Sequence, residues 1–181
     1  MGRNLPLELV RDELGPLLAD PQIGKVAHNA GFDLAVLLEQ GMPAQGLAAD
    51  TLIAAFLLNP DRSVGLKQLA WERYGVEMTE ITELIGKGRN QVTMAQVPIA
   101  QVAPYAAADA DLTLRLAEPL LRELEERQLT RLYREVELPL VPVLIEMERH
   151  GVALDVRFLE QMSRELERQL GELEERIYQA A

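Results

Sequence analysis

Only two short stretches of this chain read as strand, and most of the remaining patterned sequence reads as helix. Ile23-Gly24-Lys25-Val26-Ala27-His28-Asn29 and Leu47-Ala48-Ala49-Asp50-Thr51 are compatible with buried strands. Two such strands make a poor sheet by themselves, yet the helices around them carry apolar faces that need a surface to pack on. That imbalance leaves two architectures open: an all-helical packing, or an α/β sheet of which part is missing.

Helical periodicity covers 5–19, where Leu7, Val10, Leu14, Leu17 and Leu18 share a face and Asp20-Pro21 ends the run. Phe32 to Gln40 and Leu66 to Tyr74 are helical, with Gly41 and Gly75 as their stops. Asp50 or Thr51 is placed to cap a helix through Leu58, which Asn59-Pro60 closes. The stretch 76–97 is mixed and centres on a basic turn, Gly86 to Gln91, without the spacing of a phosphate-cradling loop. An alanine-rich helix starts near Pro104, a residue tolerated at the first helical position. Pro119 is expected to end or kink it near Glu118. Beyond 129 an apolar stripe runs from Leu132 to Met147 and stops at Gly151. Asp155 then caps a last helix over 155–181, whose stripe from Leu159 to Ile177 is too short for a coiled coil.

With 181 residues the chain suits one medium domain, or a small domain with an appendage. It has no cysteine and two histidines, so any bound metal is expected on oxygen ligands. The net charge of −11 argues against a surface that coats nucleic acid, but leaves room for a local site built around metal ions. No apolar run approaches the roughly 18 residues of a membrane span, and Met1 to Pro6 lacks a signal peptide's apolar core. A cytoplasmic protein with no membrane partner is the expectation.

Two segments carry chemistry. Tyr105 and Asp109 lie i and i+4 on one helix face, where a carboxylate beside a phenol can hold a divalent metal and orient its water. In His28-Asn29-Ala30-Gly31-Phe32-Asp33 a strand-like piece runs into a helix, with Asn29 and Asp33 four apart across the junction. Strand ends of this kind face the ligand crevice of an open α/β sheet. Taken singly, each residue has a plainer reading: a tyrosine near a helix start, solvent-facing aspartates, a capping Asn29.

Together the segments are specific. Asn-x-x-x-(Phe/Tyr)-Asp followed by Tyr-x-x-x-Asp resembles the second and third motifs of DEDD-type 3′–5′ exonucleases, above all the proofreading domain of bacterial family A DNA polymerases. Lys25 to Asn29, Asp50-Thr51 and Ile85 to Gln91 extend the resemblance, and Glu137 to Val152 looks like that family's hinge into the polymerase domain. The resemblance implies an α/β, ribonuclease H-like exonuclease fold, helix-rich and N-terminally incomplete, over 1–128. Residues 129–181 would begin the polymerase domain.

It also implies hydrolysis of DNA 3′ ends with two Mg²⁺ or Mn²⁺ ions about 4 Å apart. Asp33 and Asp109 would be the metal-binding carboxylates, and Tyr105 would position the attacking water. Asn29 would touch the single-stranded 3′ end, and Arg62 a phosphate. The family's first motif, Asp-x-Glu on a strand, has no counterpart, since Glu8, Asp12 and Glu13 lie on a helix. The expectation is therefore half of a metal site, weak in Mg²⁺ and inactive alone, in a piece of a DNA polymerase I that depends on the rest of that chain. A stand-alone ribonuclease D-like exonuclease and a non-catalytic structural domain are the alternatives.

Overall fold

The computed structural model describes residues 4–180. Met1, Gly2 and Arg3 of the N-terminal stretch, and Ala181 at the end of the last expected helix, lie outside the described residues. The chain forms two compact units, Met1–Glu146 and Met147–Ala181.

In the first unit α1 (Leu7–Ala19) leads to β1 (Lys25–Ala27), α2 (Ala30–Glu39) and β2 (Leu47–Asp50). The strands pair in parallel, Lys25 opposite Leu47, Val26 opposite Ala49 and Ala27 opposite Asp50, with an irregularity between Lys25 and Val26. A helix between parallel strands is the connection such pairing requires. Gly46 is obligatory at the entry to β2: its φ is +73°, and a Cβ there would stand 2.8 Å from the Pro21 carbonyl oxygen. The sheet settles the architecture as helix-rich α/β, and the all-helical alternative falls.

α3 (Thr51–Leu58) follows β2 without a loop, because the Asp50 side chain accepts from the amides of Leu52 and Ile53. α4 (Leu66–Tyr74) ends at Gly75, φ 63°, and α5 (Ile81–Ile85) lies within the mixed stretch. The main core joins Ala54, Ala55 and Leu58 of α3 to Leu69 of α4, and to Leu116, Leu120 and Leu124 of α6 (Ile99–Glu126). Tyr133 closes this core from beyond α6, next to the short α7 (Thr130–Leu132). A second cluster packs Ala30 of α2 against Val141 and Ile145 of α8 (Leu138–His150).

α6 corrects an expected start and an expected stop. It starts at Ile99, so Pro104 lies inside it, and it runs uninterrupted through Pro119. Proline leaves the carbonyl four residues earlier without a donor. For Pro104 that carbonyl belongs to exposed Ala100, where water can serve. For Pro119 it belongs to Arg115, and the Tyr74 hydroxyl of α4 donates to it at 2.7 Å. A tertiary contact thus repairs a local defect that the sequence reads as a stop.

In the second unit, the Asp155 carboxylate accepts from the Phe158 amide at 3.0 Å and opens α9 (Val156–Ala180), as the sequence suggests. Leu159, Met162, Leu166, Leu170, Leu173 and Ile177 form its apolar stripe, and no residue of this helix is buried. Arg168 pairs with Glu165 and Glu172 on its polar face. Among the described residues no helix is long and apolar enough to cross a membrane.

Candidate active site

A crevice of about 870 Å³ opens between the end of β1, the start of α2, the start of α4 and one face of α6. Asp33 stands on its α2 wall and Tyr105 and Asp109 on its α6 wall. Residues far apart in the chain therefore share one cavity.

α2 places Asp33 in its first turn. Loss of solvent, and then the charge of Asp50, hold the Asp33 carboxyl above its ordinary value. On the facing wall Tyr105, Asp109 and Thr113 recur every four residues, so one stripe of α6 faces the cavity, with Ala106 and Ala110 leaving room between them. Burial raises the Asp109 carboxyl, against the opposing pull of the Lys67 ammonium and the facing Tyr105 hydroxyl. The Tyr105 phenol is raised too, by burial and then by the Asp109 charge. It will not ionise near neutrality.

Asn29 and Arg62, unlike the acidic residues, both lie outside the crevice lining. Asn29 precedes α2 in a left-handed conformation, φ 72° and ψ 57°, and its side chain makes no cap hydrogen bond. The plain reading of Asn29 as a helix cap therefore fails, and its exposed side chain is left available. Arg62 lies outside the crevice lining; it borders a smaller cavity and stands 3.9 Å from Glu72. Its neighbour Ser63 lines the crevice instead.

Lys67 is the residue that sequence reasoning missed. Among the described residues lining the crevice it is the one Lys or Arg. It is held by Glu80 at 2.9 Å and stands 5.8 Å from the centre of the Tyr105 ring. Nothing in its local sequence marks it, because the contact joins α4 to α6. Thr113, by contrast, was findable: it continues the i, i+4 series of Tyr105 and Asp109.

The matching family model, described as 3′-5′ exonuclease, covers residues 5–125. The chain belongs to this 3′–5′ exonuclease family. Relatives include DNA polymerase I of Chloroflexus aurantiacus, 47% identical over 98% of this chain and 19% of that polymerase. DNA polymerase I of Pseudomonas aeruginosa is 37% identical over 98% of this chain and 20% of its own length. The chain thus spans about a fifth of the curated relatives it matches. Among solved structures, the POL domain of Pol1 from M. smegmatis, in complex with DNA primer-template and dNTP, aligns at TM-score 0.72. That pair is 29% identical over 93% of this chain and 26% of the other. Brucella melitensis NrnC with bound Mg²⁺ aligns at TM-score 0.57, 28% identical over 82% of this chain and 66% of that protein.

The donor set can be weighed against the ions such a family implies. Two carboxylates and a phenol offer the hard oxygens that Mg²⁺ prefers. Among the described residues, however, no three Asp, Glu, His or Cys side chains converge as a metal-ligand group. The two carboxylates present are both partly desolvated, and one already has a lysine beside it. These residues fit part of one ion's shell and do not make a two-ion centre.

Proposed function

We propose that the chain is the 3′–5′ proofreading region of a bacterial, cytoplasmic DNA polymerase I, and that its crevice receives the single-stranded 3′ end of DNA. The ribonuclease H-like character of the sheet and a functional boundary near residue 128, with 129–181 opening the polymerase domain, belong to the same proposal. The observation that carries it is the meeting of Asp33, Tyr105 and Asp109 in one cavity of a 3′–5′ exonuclease family member.

An acidic crevice repels phosphate unless cations intervene. In this reading Lys67 supplies one such charge beside Asp109, and Asp33 and Asp109 supply carboxylates for Mg²⁺ or Mn²⁺. The protonated Tyr105 phenol orients a water by hydrogen bonding. Asn29 offers its amide to the terminal nucleotide, and exposed Phe32 beside it offers a ring on which a base can stack. Arg62, outside the lining, would meet a phosphate further along the strand.

With half of the carboxylate set, the purified chain should bind a short oligothymidylate in Mg²⁺ and digest its 3′ end slowly or not at all. Fusion to an upstream strand bearing Asp-x-Glu should confer digestion that Asp109→Ala removes. Brisk digestion by the chain itself, lost on Asp109→Ala, overturns the half-site part of the proposal; absence of binding overturns the proposal as a whole. The likeness to NrnC, also recorded bound to pGG and spanned by this chain over 67% of its length, supports a second reading, a stand-alone ribonuclease D-like exonuclease. Preference for short RNA over single-stranded DNA would favour it.

A further inference from the structure

Asp50 takes no part in the chemistry above, yet its carboxylate accepts four main-chain hydrogen bonds from a site that is 1% exposed. Leu52 and Ile53, at the start of α3, donate to Oδ1 at 2.9 and 3.2 Å. Asn29 donates to Oδ1 at 3.2 Å and Ala30 to Oδ2 at 2.7 Å, both at the start of α2. One negative charge therefore caps two helices and stands at the positive ends of both dipoles. Of those two helices, α2 carries Asp33. Its flanking Asn29 is in a backbone region that non-glycine residues enter at some cost, and the bond to Asp50 helps hold it there.

The backbone of Asp50 is gripped in turn. Its N–H donates to the Tyr133 hydroxyl at 2.7 Å, and that hydroxyl donates back to the Asp50 carbonyl at 3.1 Å. Tyr133 is also 1% exposed, packed between α3 and α6, and begins a wide π-helical turn over Tyr133–Glu137. A buried hydroxyl that engages both main-chain groups of one residue does more than fill space.

We propose that Tyr133 and Asp50 are positioning residues: Tyr133 fixes the Asp50 main chain, and the Asp50 carboxylate sets where Asp33 stands in the crevice and where Asn29 stands just outside its lining. This rests on the assignment of Asn29 and Asp33 to DNA and metal binding. Tyr133→Phe keeps the ring in the core and removes only the hydroxyl. Tyr74→Phe is the comparator, because it removes another tyrosine-to-main-chain bond, away from β2.

Amide hydrogen exchange and oligothymidylate affinity in Mg²⁺ are measured for both variants at a temperature where both are folded. In Tyr133→Phe the Asn29 and Ala30 amides should exchange about tenfold faster and affinity should fall about tenfold. Tyr74→Phe should leave those two amides as in the wild type. The proposal is overturned if Tyr133→Phe moves them no more than Tyr74→Phe does, or moves them without loss of affinity. If Tyr133→Phe does not fold, exchange of the wild type in increasing urea decides. There the Ala30 and Tyr133 amides should open with one free energy and one slope, and separate openings overturn the proposal. A wild type that binds no oligothymidylate removes the functional reading; the amide comparison then still reports whether Tyr133 holds α2.

Discussion

The two walls of the crevice are built on different physics. On the α2 wall the main chain is held by a buried carboxylate and a buried tyrosine, with distances of 2.7 to 3.2 Å. On the α6 wall Tyr105 and Asp109 are set by helix geometry and by a partly exposed lysine, itself tied to an exposed Glu80. Buried hydrogen bonds resist change because breaking one leaves an unsatisfied group in low dielectric. Half-solvated charges adjust cheaply. The α2 wall should therefore be rigid and coupled to folding, and the α6 wall compliant and coupled to its ligands.

The largest test of that contrast is Asp50→Ala. It strips four amides of their acceptor at once and should lower stability by about 3 kcal/mol or more, read by urea denaturation. A loss as small as that of a single surface cap would end the claim that the α2 wall is the rigid one. Next is Tyr74→Phe, which frees the Arg115 carbonyl behind Pro119. It should cost about 1 kcal/mol and raise amide exchange in α6 around Pro119, leaving α2 unaffected.

Asp33→Asn probes the electrostatic strain of the α2 wall. Its carboxyl is raised in the folded protein, so the native state holds its proton more tightly than the unfolded chain. Stability from this group is present below the ordinary carboxylate range and is lost as pH rises through the raised value. In metal-free protein Asp33→Asn should thus stabilise at pH 7, by up to about 1 kcal/mol for so exposed a group, and give no gain near pH 3. Equal gains at both pH values would show that the carboxylate is not the cause. The smallest effect is expected from Lys67→Met: within about 0.5 kcal/mol in stability, but with several-fold weaker oligothymidylate binding. A stability loss comparable to that of Asp50→Ala would make the two walls alike.

Much of the site was legible because its parts are local. The i, i+4 spacing of Tyr105 and Asp109, the strand-to-helix junction at Asn29 and Asp33, and the caps at Asp50 and Asp155 depend on neighbours within a few residues. The strands were recognised but drawn too long: β1 occupies Lys25–Ala27 of the expected 23–29. The membership of Lys67 and the bond from Tyr74 were not legible, since each joins elements whose proximity no periodicity announces. For the same reason Pro119 looked like a stop.

By itself, then, the sequence determined the two strand segments, the helix faces and the pairing of two motifs, because side-chain period and capping chemistry act over one or two turns. Tertiary structure alone decided that Pro119 could stay inside α6, that Lys67 would stand over the Tyr105 ring, and that Asp50 would cap α2 as well as α3. Those outcomes depend on which polar group finds its partner on another element, and that is fixed only when the elements pack.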